Sequence, residues 1–238
     1  MTVGKNGKYG AKIMFLIVVA LLLVYVPVFS QNQEETYTDK RDGNTYKVII
    51  VGKQKWMAEN LRYLPRVFPV DEGYIDDLPC YVYGYSGYDI DSAKQSESYA
   101  TYGVLYGWMA AKKACPFGWR LPTEKDWAAL EDTLGVEQLG SRLSEKSEKW
   151  DDGNMKKSER WGETGFNAVP AGYRDGNRFY AEQGMMAYFW TADKVKVYYS
   201  YYRFIDSDET YFGHESGLWE NGYSVRCVKD LNPKKLIK

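Results

Sequence analysis

The chain has 238 residues, with 31 basic and 32 acidic side chains and a formal net charge of −1. That balance excludes the basic excess by which nucleic-acid and anionic-lipid binders collect their partners. One histidine leaves a His-based triad or zinc centre only His214 to use, while 22 Tyr, 8 Trp and 22 Gly predict a loop-rich, Tyr-packed β protein.

Residues 1–30 read as an export leader. Lys5, Lys8 and Lys12 precede the uncharged run 13–29, and Pro27 and Ser30 close it as a cleavage region does. The run is long for a signal peptide, so an uncleaved single anchor is the rival reading. Without the three leader lysines, 28 basic residues face 32 acidic ones, a net charge of −4. The remainder is enough for one buried domain over 42–230, preceded by a linker or first strand at 31–41 and followed by a frayed basic tail at 231–238.

Arg41-Asp42-Gly43-Asn44 signals a turn, after which 45–51 is a β-branched strand returned by 54–57 as a hairpin. Asp39, Asp42 and Asn44 resemble calcium ligands superficially. The glutamate that an EF-hand loop needs is replaced by Ile50, so the acids are read as turn residues. From Asn60 to Thr101 periodicity disappears among Pro, Gly, Tyr and scattered Asp, which predicts a long excursion over the surface. Leu105, Trp108, Met109 and Lys112 then fall at helical spacing, predicting a short helix over 102–114.

The segment 114–130, A-C-P-F-G-W-R-L-P-T-E-K-D-W-A-A-L, organises the rest. Pro116 and Gly118 break the chain, Thr123 stands as N-cap with Asp126 three residues on, and Trp127, Leu130 and Leu134 follow at helical spacing until Gly135. The polar stretch 140–164 carries Trp150 and Trp161. Trp150-Asp151-Asp152-Gly153-Asn154 is read as a turn anchored by a half-buried Trp, against the alternative of a carboxylate-flanked sugar site. Strands are predicted at 187–192, 198–205 and 223–228. In the middle one, Tyr199, Tyr201, Arg203 and Ile205 share one face and Tyr198, Ser200, Tyr202 and Phe204 the other.

Three cysteines in an exported chain allow one bridge and leave one over. Cys115 stands beside the central helix and Cys227 in an alternating run, and bridging them closes a long loop, worth about 4–5 kcal/mol. Cys80 is then unpaired, buried or joined to another chain. There is no Cys-x-x-Cys, His-Glu-x-x-His, Gly-x-Ser-x-Gly or phosphate-binding Gly-rich loop, and His214 lies in a loop by composition.

Several landmarks occur in order: DGNTY at 42–46, WMAENL at 56–61, Tyr102-Gly103 to Trp108, CPFGWRLPT at 115–123, GFNAVPAGYR at 165–174, FWT at 189–191 and SVRCV at 224–228. Together they resemble the Fibrobacter-type major paralogous domain (FISUMP) from about Asp42 to Asp230. The resemblance implies an α+β fold of C-type-lectin-like, formylglycine-generating-enzyme-like type, with two helices packed on a small twisted mixed β core with long loops. Family members often carry a cysteine pair near Cys80, which here lacks its partner, so the 80–98 loop is expected to lack that tether. Arg120-Leu121-Pro122-Thr123-Glu124 is also similar to the formylglycine-generating enzymes, whose copper is held by a cysteine pair. With Cys115 and Cys227 bridged, that chemistry is unsupported.

The expectation is an exported, non-catalytic envelope or secreted binding module that contacts glycan or protein through Tyr/Trp-rich loops. The alternatives are a hydrolase or modifying enzyme with an unrecognised carboxylate site, and a structural surface subunit. No cofactor is expected, Ca²⁺ being unsupported, nor a nucleic-acid partner, nor a membrane except through a retained leader. Lectin-like folds tend to bind late in the chain. The candidate ligand residues are therefore Tyr199, Tyr201 and Arg203 on one strand face, with His214, Glu215, Trp219 and Asn221 before the final strand. The rival account has these tyrosines filling the core.

Overall fold

The computed structural model describes Met1, 35–73 and 77–231. The predicted leader and the basic tail after Leu231 lie outside the described residues, and everything below belongs to the unit spanning residues 34–238.

Its first sheet is built from both ends of the chain. The order is β1 (Thr36–Thr38), β2 (Thr45–Val51), β3 (Gln54–Met57) and β11 (Val228–Asp230), with every neighbour antiparallel. Asp39 and Asp42 close the first turn. Asp39, fully buried, accepts from the Arg41 guanidinium at 2.6 Å, and Asp42 accepts from the Asn44 backbone at 3.0 Å. Gly52, at φ +58°, turns β2 into β3.

The central segment folds as its capping residues dictate. Thr123 caps α4 (Glu124–Leu134): its hydroxyl accepts from the Asp126 backbone, and Asp126 answers by accepting from the Thr123 backbone at 2.7 Å. The helix turns Trp127 and Leu130 fully inward. Trp127 lies 4.6 Å from Trp56 of β3 and 5.4 Å from Phe212, ring to ring, in a core shared with Phe166, Phe189 and Ile205. Cys115 and Cys227 form a disulfide with Cα atoms 5.8 Å apart, within the ordinary range, and Cys80 is free and buried.

The second sheet has five strands in the order β10 (Gly213–Leu218), β9 (Tyr199–Asp206), β8 (Met186–Lys196), β6 (Ala171–Arg174) and β7 (Tyr180–Gln183). All its pairs are antiparallel except β6 with β8. A two-stranded ladder, β4 (Cys80–Tyr81) with β5 (Leu105–Tyr106), completes a mixed α/β fold of curled sheets and short helices.

Five helices occur among the described residues where two were expected: α1 (Ile90–Lys94), α2 (Glu97–Tyr102), α3 (Trp108–Ala114), α4 and α5 (Leu139–Leu143). The expected helix over 102–114 is broken. Tyr102 ends α2, Leu105 lies in β5, and only Trp108 onward is helical. Gly103 stops the first helix at φ +78°, where an added Cβ would stand 3.0 Å from the Leu61 carbonyl oxygen. The long excursion is also less superficial than expected. Leu61, Leu64, Val67, Val82, Ala93 and Tyr99 are all buried, and the 80–98 loop is held without a second bridge by the Asp89 cap and by Tyr180 donating to the Tyr85 carbonyl. Trp150 is 1% exposed, its indole N–H donated to the Ala168 carbonyl, so it is neither half-buried nor open to a sugar. The last expected strand is shorter. Residues 223 and 224 make isolated bridges and the regular strand begins at Val228.

Candidate functional site

The β10–β9 register puts His214 opposite Arg203, Glu215 opposite Tyr202 and Leu218 opposite Tyr199. Alternation therefore divides the candidate residues between the two faces of the sheet. On the α4 side, Arg203 is buried, with ion pairs to Glu131 at 2.7 Å and Glu124 at 2.9 Å. His214 Nε2 lies 2.9 Å from the same Glu124 oxygen, and its ring sits 4.8 Å from that of half-buried Tyr201. Arg203 is thus a fastener between sheet and helix, not the exposed hydrogen-bond donor expected.

On the other face, Glu215 accepts from the Tyr202 hydroxyl at 3.1 Å. Burial, reinforced by Glu215, pushes that hydroxyl's pKa well up. Asn221 donates to the Tyr223 hydroxyl at 2.8 Å. Trp219 stacks on Trp108 of α3 at 4.6 Å and donates its indole N–H to Ser200 Oγ at 2.8 Å. The tyrosines follow both readings: Tyr202 is buried, while Tyr199 and Tyr201 are half-buried.

Two of the seven residues, Tyr199 and Trp219, do meet at one place, the tip of the β8–β9 hairpin. There they line a groove of about 450 Å³ with Tyr198, Leu218 and Glu220. Tyr198 is not in the strand as expected. With Val197 it forms the two-residue turn between β8 and β9, at φ +66°, a turn position that ordinarily calls for glycine or asparagine. The residue is 57% exposed, and its ring meets the Trp219 ring edge-on at 5.7 Å. Val195, Val197 and Leu218 are exposed beside it, and Lys194 and Lys196 lie over the Trp219 and Tyr199 rings at 5.7 and 4.4 Å. The missed signal was the run 194–199, K-V-K-V-Y-Y, which alternates so regularly that no turn residue marks the hairpin.

Among the described residues no group of three or more His, Cys, Asp or Glu converges as a metal site. No curated protein and no solved structure matches the chain. A family model described as the Fibrobacter succinogenes major domain matches residues 49–229. That span takes in every landmark from WMAENL to SVRCV and leaves only DGNTY ahead of it. By this match over most of its length, the chain belongs to the Fibrobacter succinogenes major domain family.

Proposed function

We propose that the chain is an exported, non-catalytic binding module, with a C-type-lectin-like fold, that docks a protein partner through the tip of its β8–β9 hairpin. The observation that carries this reading is Tyr198, an exposed aromatic held at positive φ beside Trp219 and the exposed Val197 and Leu218. Nothing in the core explains a bulky residue at so unfavourable a backbone position, and strain of that kind concentrates at binding sites. A protein partner suits the groove better than a glycan. Sugar rings need directional hydrogen bonds around the aromatic face, whereas this one is edged by aliphatics and its tryptophan N–H is already donated to Ser200. Lys194, Lys196 and Glu220 form a charged rim. The lectin-like reading of the fold is supported by the sheet that joins both chain ends and by the disulfide fastening the last strand to the end of α3. Export is supported by that disulfide, which an oxidising compartment favours.

A screen of exported proteins and a glycan array against the immobilised full chain tests the proposal. A protein ligand should be retained by the wild type and lost by Tyr198→Gly combined with Leu218→Ser, with Tm unchanged or raised because glycine accepts the turn conformation. Retention of that protein by the variant, no retained protein at all, a glycan whose binding the variant abolishes, or turnover of generic hydrolase substrates by the wild type would overturn it.

A further inference from the structure

Away from the hairpin tip, a cleft of about 320 Å³ draws its walls from separate parts of the chain. Glu59 and Arg62 follow β3, Tyr102 ends α2, Glu145 and Lys149 lie after α5, and Asn167 stands ahead of β6. Lys47 of β2 also lines it, and its other four charges come as neighbours of opposite sign: Lys149 Nζ is 2.6 Å from Glu145 Oε2, and Arg62 Nη1 is 3.6 Å from Glu59 Oε1. Each carboxylate is held again from a second side. Glu59 accepts from the Lys47 backbone at 2.7 Å and Glu145 from the Ser147 hydroxyl at 2.9 Å.

Behind this wall Arg226 is fully buried. It donates to Asn60 Oδ1 at 2.8 Å and to the carbonyls of Phe166 at 2.6 Å and Asn167 at 2.7 Å. The last bond pins the Asn167 peptide at φ +53°. The side-chain amide of Asn167 and the hydroxyl of Tyr102 have no hydrogen-bond partner among the described residues. Burial, with Glu97, Asp151 and Glu145 nearby, raises the Tyr102 hydroxyl's pKa, so it stays protonated as a donor.

We propose that this cleft binds one neutral sugar unit. Two fixed carboxylates accept from adjacent hydroxyls, Arg62 and Lys149 donate to their oxygens, and the Asn167 amide does both. The Tyr102 ring offers an apolar surface to a sugar face. An anionic ligand would have to displace a carboxylate from Arg62 or Lys149, and a cationic one would have to displace those cations from Glu59 or Glu145. A neutral polyol uses the alternating charges as they stand. The paired carboxylates also fit recognition better than proton transfer, since either would have to leave an ion pair to act. The site is at the small end of ligand pockets, roughly 300–1,000 Å³, which fits a single ring. It is independent of the protein-docking tip.

The test titrates the full chain with glucose, galactose, mannose, N-acetylglucosamine, glucuronate and inorganic phosphate, followed by ligand-observed NMR and calorimetry. At least one neutral sugar should saturate. Asn167→Gly removes the amide while suiting the backbone, and Tyr102→Phe deletes only a hydroxyl. Each should weaken that sugar about tenfold, the worth of one good hydrogen bond, at unchanged Tm. Tyr198→Gly should leave sugar binding as it was, so failure here is separable from failure at the tip. The proposal is overturned if no neutral sugar in the panel binds in the millimolar range, if only glucuronate or phosphate binds, or if both variants bind like the wild type.

Discussion

Arg226 is the residue on which the interior turns. Burial pushes its guanidinium pKa down to about 9, with Glu59 and Glu145 pulling it back, so it stays charged at neutral pH. Its hydrogen bonds tie the segment after β3 to the Phe166–Asn167 turn, and its plane lies 4.6 Å from the Phe166 ring centre. Arg226→Met should cost about 3 kcal/mol, because the Phe166 carbonyl would be left buried and unpaired and the part-buried Asn167 carbonyl would lose its partner. Arg226→Lys should rescue little of this, since an ammonium on a flexible stem cannot serve several fixed acceptors as a planar fork does. Urea unfolding of the three proteins decides it, and a lysine variant as stable as the wild type would defeat the account. None of this was legible beforehand. The 223–228 run alternates, but alternation cannot say that an arginine points inward, because its acceptors come from turns more than fifty residues away.

At the scale of elements, legibility followed local signals. The β2–β3 hairpin and α4 carry their turn and cap residues in sequence, and both form where expected. The Val197–Tyr198 turn carries no such signal, and in the three shortest helices five or six residues are too few for a period to show, although Asp89 and Ser96 cap two of them. The cap of α4 also makes a pH prediction. Burial would raise the Asp126 pKa, but hydrogen bonds from Arg120 and Thr123 together outweigh burial and hold it below the usual carboxylate range. Gln54 adds a bond at 2.6 Å from β3, so the carboxylate joins helix to sheet. A carboxylate with a lowered folded-state pKa contributes stability that is present above its unfolded value, about 3.9, and is lost as pH falls through the folded value. Asp39, held low in the same way by Arg41, adds to the slope. Asp126→Asn should therefore be less stable than wild type at pH 7 and show a shallower loss on acidification. Urea midpoints measured from neutral to acid pH check this, and parallel curves for the two proteins would refute it.

For the whole molecule, the feature least visible in sequence is its closure. Strand order in the second sheet, with the single parallel pair β6–β8, depends on partners far apart in the chain, and no local pattern encodes it. Closure of the first sheet was half-legible through the cysteines, because pairing Cys115 with Cys227 already brought the chain's end back to its centre. The structure puts β11 immediately after Cys227 and seats it against β3, with Val228 fully buried and exchanging backbone hydrogen bonds with Arg120 at 2.9 Å in both directions. Asp230 then reaches Arg120, which also holds Asp126, so the last strand, the helix cap and the N-terminal hairpin share one network. Two perturbations separate the covalent part from the rest. Reducing the disulfide should lower stability by about 4–5 kcal/mol, since the bridge spans 112 residues and acts mainly on the unfolded chain. Ending the chain at Cys227 keeps the bridge but removes the strand. It should still broaden or abolish the cooperative unfolding transition, because β3 then exposes an unpaired edge and the core cluster around Trp56 and Trp127 loses Val228. If the shortened chain unfolds as sharply and as late as the full one, β11 is a passenger and the disulfide alone accounts for closure.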